Sequence, residues 1–65
     1  MSTWKAGGYE IIRYATDHEP KHVHVYKDGR EVARFNVATG TFMSGERRHY
    51  GRIRKALIEV GLADK

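Results

Sequence analysis

Cysteine is absent from this chain of 65 residues, proline occurs once, and tryptophan occurs once. Without cysteine, disulfides and thiolate zinc sites are both excluded. No stretch approaches the ~20 apolar residues of a membrane span, so no membrane association is expected. The opening MSTWKAGGYE lacks the long apolar run of a signal peptide, and a cytoplasmic protein is the expectation. Repeats, linkers and low-complexity tracts are missing as well. A chain this short makes one domain, residues 1–65. It buries only roughly 60% of its unfolded surface. Its core must be thin, which makes a homodimer a natural extra source of stability.

What is present is charge, unevenly placed. The net charge is +4. Residues 44–55 hold Arg47, Arg48, Arg52, Arg54 and Lys55 against Glu46, which accounts for almost all of the excess. Such clustering suits a polyanion or an acidic partner protein. It is equally the composition of an ordinary solvated helix face.

The pattern along the chain is that of an α+β protein. Tyr9 to Thr16 (YEIIRYAT) is β-branched and aromatic, and apolar on both sides, as in a central strand. The stretch TDHEP follows as a loop, because Pro20 favours an extended Glu19 and has no N–H for a ladder. The chain re-enters the sheet near Lys21. His22 to Tyr26 (HVHVY) alternates, with Val23 and Val25 on one face and His22, His24 and Tyr26 on the other. KDGR marks a hairpin, and Glu31 to Ala38 alternates again. A two-residue Asp28-Gly29 turn would pair Val25 with Val32 and mix the two faces. A three-residue turn, Lys27-Asp28-Gly29, pairs Val23 with Ala33 and His22 with Arg34, and is therefore predicted. The core face is then Val23, Val25, Ala33, Phe35 and Val37.

TGTFMSGE is read as the turn into a helix, with Ser44 as N-cap and Glu46 in the first turn. Tyr50, Ile53, Leu57 and Val60 form the apolar stripe of that helix. Gly61 followed by Leu62 predicts a Schellman stop. Gly51 costs on the order of 1 kcal/mol against alanine inside a helix, implying close backbone packing or a later helix start. The expected architecture is a small antiparallel sheet of three strands, four if residues 3–6 pair, with one C-terminal helix packed on one face. The histidines occupy the other face.

The run YATDHEPKHVHVYKDGREVARF resembles the bacterial family catalogued as domain of unknown function 4160. The residues that carry the resemblance are Tyr14, Asp17, His18, Pro20, His22, Val23, His24, Val25, Gly29, Ala33 and Phe35. They form an H-x-P-x-H-V-H-V core within a similarity spanning about Gly8 to Leu57. Lys21 stands where the family pattern has a second proline. The resemblance implies a small cytoplasmic protein, often encoded beside another small protein, in an arrangement similar to a toxin–antitoxin pair. A weaker similarity runs to HicA-type ribonuclease toxins, whose N-terminal helix this chain lacks.

Three chemistries fit the histidines. His22 and His24 can chelate one ion, with His18 bending back as a third ligand for zinc, or for nickel or copper. In that reading Asp17 and Glu19 are the carboxylates in reach of the ligands. Alternatively, His22 and His24 act as acid and base in metal-independent RNA cleavage, with Arg34 stabilising the phosphorane. The third reading is binding without catalysis. Here His22, His24, Tyr26 and Arg34, with Arg47, Arg48, Arg52 and Lys55 on the helix, grip nucleic acid or a partner protein. This interaction module, in a toxin–antitoxin-like or regulatory pair, is the leading expectation. His49 is expected to be a surface or capping residue.

Overall fold

The structure is a computed structural model and describes residues 2–14 and 22–64. Five strands form one antiparallel sheet in the order of the chain: β1 (Ser2–Ala6), β2 (Tyr9–Arg13), β3 (His22–Lys27), β4 (Arg30–Asn36) and β5 (Thr41–Gly45). A 3-10 turn, Arg47–His49, leads into the helix α1 (Tyr50–Glu59). The α+β class and the single C-terminal helix match the expectation, but the sheet has five strands rather than three or four.

Two of the strands were obscured by glycine. β1 pairs with β2 across Gly7-Gly8, whose φ of 58° and 83° suit a type I′ turn, so residues 3–6 do pair. β5 occupies the segment expected to turn directly into the helix. Asn36 closes the connection before it: its carbonyl accepts from Gly40 N–H at 2.8 Å and its side-chain oxygen from Thr39 N–H at 3.1 Å. Ser44 consequently lies in β5 opposite Arg34 and caps no helix. The helix begins six residues later, at Tyr50, and Gly51 falls in its exposed first turn. An added Cβ there would meet open space, so close packing is not the reason for that glycine.

The β3–β4 hairpin corrects the expected turn. Lys27 pairs with Arg30 across two residues, Asp28 (φ 53°) and Gly29 (φ 78°). The mixing of faces that argued against this turn is resolved by a bulge. Tyr26 opposes Glu31 but Val25 opposes Ala33, so Val32 is the extra residue. Val23 then pairs with Phe35, not Ala33, and His22 with Asn36, not Arg34. The alternation is restored beyond the bulge, and the faces expected for Val23, Val25, Ala33 and Phe35 hold although the register differs, whereas Val32, expected away from the core, is buried in it.

Tyr9, Ile11, Val23, Val25, Val32, Ala33 and Phe35 make the sheet's contribution to the core, and Ile53, Ala56 and Leu57 make the helix's. Val37 is only partly buried at the margin. The helix stops as expected: Leu62 N–H reaches Leu57 C=O at 2.8 Å and Gly61 N–H reaches Ile58 C=O at 3.1 Å, the Schellman pattern. Among the described residues no helix is long and apolar enough to cross a membrane.

Candidate functional site

Because α1 takes the valine face of β3, the residues between those valines lie on the face the helix leaves open. His22 and His24 come from β3, Arg34 from β4, and Ile12 and Tyr14 from β2 and its continuation. Ile12 lies opposite His24 on one side and Arg34 opposite it on the other. The His22 and His24 rings are 4.9 Å apart between centroids and tilted by 58°. The Tyr14 ring meets His24 edge-on at 5.0 Å.

One carboxylate organises this cluster. His24 Nδ1–H donates to Glu31 Oε1 at 3.0 Å, and Arg34 Nε–H donates to the same oxygen at 2.6 Å. Burial alone would raise the Glu31 pKa from its ordinary 4.5, but the hydrogen bonds from Arg34 and His24 outweigh it and hold the carboxyl lower. Tyr26 and Tyr14 share a hydrogen bond at 3.2 Å between their hydroxyls. That bond, with partial burial, pushes the Tyr26 phenol up to about 12.

Glu31 is the residue that sequence reasoning missed. In an unbroken strand, positions 31 and 34 project to opposite faces. The bulge at Val32 brings them to the same face, so the expectation that only Asp17 and Glu19 were within reach of the histidines is corrected. The available signal was the conflict between the Asp28-Gly29 turn and the alternation, which a bulge resolves.

The remaining sequence-derived residues are distributed as follows. His18, Asp17 and Glu19 lie outside the described residues, as does the loop around Pro20. Among the described residues no three histidines or carboxylates form a group suited to a metal ion. Arg47, Arg48, Arg52 and Lys55 are exposed on the helix side of the molecule. The sheet therefore separates them from His22, His24, Tyr26 and Arg34, and the two groups cannot grip one small ligand together. His49 stands at the helix N-cap position without capping it through its side chain. Its Nε2–H donates to Glu46 at 3.2 Å, leaving Nδ1 to accept from Tyr9 O–H at 3.1 Å. It links the helix start to the core rather than facing solvent.

A concavity of about 570 Å³ lies between the β1–β2 and β3–β4 turns, lined by Lys5, Gly8, Tyr26 and Asp28 among others. It is open to solvent and touches the histidine cluster only through Tyr26.

Searches of curated proteins and of solved structures found no match. The profile of the family described as a domain of unknown function, DUF4160, matches residues 8–60. That span begins at the Gly8 turn, takes in the whole histidine cluster and ends one residue past α1, so the chain belongs to the DUF4160 family.

Proposed function

We propose that this protein is a small interaction module that docks a partner protein on the open sheet face, as one member of a toxin–antitoxin-like or regulatory pair. The observation that carries this reading is the ordered line Tyr14–His24–Glu31–Arg34 on a face that no other element of the described chain covers. Protein interfaces favour arginine and aromatic side chains such as tyrosine, held in fixed rotamers, and disfavour dense charge of one sign. Tyr14, Tyr26, His22, His24 and Arg34 supply the first, and half-buried Ile12 adds apolar area beside them. The charge on this face is nearly balanced, Lys5 and Arg34 standing against Glu10 and Glu31. A polyanion gains little from such a surface, whereas a partner offering both signs gains hydrogen bonds.

The test places a photo-crosslinking residue at Ser44, beside Arg34, and another at Lys55 on the helix. The expected result is a protein adduct from position 44 and not from position 55. Tyr26→Ala and Arg34→Ala should each weaken the purified pair by about 2 kcal/mol, while Arg52→Glu leaves it unchanged. Affinity insensitive to both sheet-face substitutions would remove the proposal.

A hydrolytic reading has one observation in its favour, the Nδ1–H of His24 held by Glu31, which fixes the tautomer as a general base requires. The contact between the two imidazoles opposes it, since rings 4.9 Å apart leave no room to bracket a phosphate. RNA cleavage by the purified protein, abolished in His24→Ala and reduced in Glu31→Gln, would favour hydrolysis; cleavage unaffected by either would end it.

A further inference from the structure

Gly51 sits where the structure has no use for a glycine. Its φ is not left-handed, it is exposed, and an added Cβ would touch nothing within 4 Å. Alanine would fit and would strengthen the helix. Around it, the positions three and four residues away are the ones a helix places as surface neighbours. Within α1 these are Arg54 and Lys55; Arg47 and Arg48 stand at the same spacing on the other side, every one is basic and exposed, and Arg52 adjoins them. Arg47 and Arg48 come from the 3-10 turn that runs straight into α1, which carries no acidic residue in its first turn.

The charge in this ring is largely uncommitted. Among the described residues, Arg48 approaches Glu46 at 3.6 Å, a carboxylate shared with His49, and Arg54 Nη1–H reaches Gly40 C=O at only 3.5 Å. Arg47, Arg52 and Lys55 make no ion pair among the described residues. A bare patch of helix backbone inside a ring of cations lets an anionic group approach closely while several side chains fold over it. We infer that this surface binds the phosphodiester backbone of nucleic acid, with one phosphate seated over Gly51. The inference does not rest on the sheet-face reading, because the two surfaces lie on opposite sides of the sheet. Nucleic acid is favoured over a single small anion because the cations span three turns of chain and face outward, matching a row of charges rather than one.

Fluorescence anisotropy with a labelled 20-base-pair DNA duplex and a 20-nucleotide single-stranded RNA tests this. The logarithm of the affinity should fall linearly with the logarithm of salt concentration, with a slope of roughly −3 to −4 on the duplex, as about four phosphate contacts predict. Arg52→Glu combined with Lys55→Glu should cost at least about tenfold. Gly51→Leu keeps the charge and should raise the melting temperature yet weaken binding about fivefold, a combination no purely structural role produces. Arg34→Ala serves as the sheet-face control and should bind as the parent does. A salt slope near zero would overturn the inference, as would unaltered affinity in both helix variants. So would equal, ring-dependent binding to vesicles of anionic phospholipid, which would make the surface a membrane contact instead.

Discussion

Single residues decide two features here that no average propensity would reveal. Gly45 has φ 132°, and a Cβ built on it would lie 2.5 Å from Val32 C=O and 2.6 Å from Ala33 Cα. Both obstacles are backbone, so neither can swing aside. Gly45→Ala should destabilise the fold by about 3 kcal/mol, measured as a lower urea midpoint at unchanged slope. Glu31 sets the acid response. Its folded pKa lies below 4.5, so its contribution is present above that value and disappears as pH falls through the lowered folded value. Urea midpoints followed from pH 6 down to about pH 3 should therefore drop more steeply for the parent than for Glu31→Gln. Tyr26 acts at the opposite end. Its pKa is raised to about 12, so the neutral phenol's contribution is complete below 10 and is lost as pH climbs between the two. Ultraviolet titration should show one tyrosine ionising late, and Tyr14→Phe should bring that transition earlier.

At the scale of elements, punctuation at the ends of strands and helix controls the outcome. Gly61 adopts φ 83° to complete the Schellman pattern, and Gly61→Ala should cost about 1 kcal/mol by thermal or urea denaturation. Gly51→Ala should do the reverse and stabilise by roughly 0.5–1 kcal/mol, since its helical backbone and open surroundings accept a methyl group. Two glycines ten residues apart thus respond with opposite sign, according to φ alone. The same logic explains what the sequence made legible. The alternation of β3 identifies buried Val23 and Val25 and places His22 and His24 on the opposite face, where both are half-buried, because burial of one face leaves little freedom of register. The helix stripe and its stop are equally readable. β5 was hidden because only Thr41 and Phe42 of TFMSG favour a strand, while Met43, Ser44 and Gly45 do not. It becomes a strand through its pairing with β4, a long-range fact. Glu31 was hidden for a related reason: its face depends on where a single extra residue enters the ladder, and the turn and the alternation each looked sufficient alone.

For the molecule as a whole, the consequence of laying one helix on one side of a five-stranded meander is a division of labour. The helix side carries nearly all the excess positive charge, and the sheet side carries the balanced, hydrogen-bonded cluster that contains His22 and His24. The core between them is thin but continuous, from Val23 and Phe35 to Ile53 and Leu57, all fully buried. Sites separated by such a layer, with no shared side chain, should behave additively. Substitutions in the two clusters should therefore combine without coupling: the effect of Arg34→Ala with Arg52→Glu on stability should equal the sum of the single effects within about 0.5 kcal/mol. Leu57→Ala differs because it removes material from the shared layer. It should cost about 2–5 kcal/mol, and in so small a domain that is a large share of the total stability. An NMR titration with the DNA duplex gives the sharper test of independence. Amide shifts should move in residues 47–55 and stay fixed at His22, His24 and Arg34; movement at both would mean that the sheet transmits binding from one face to the other.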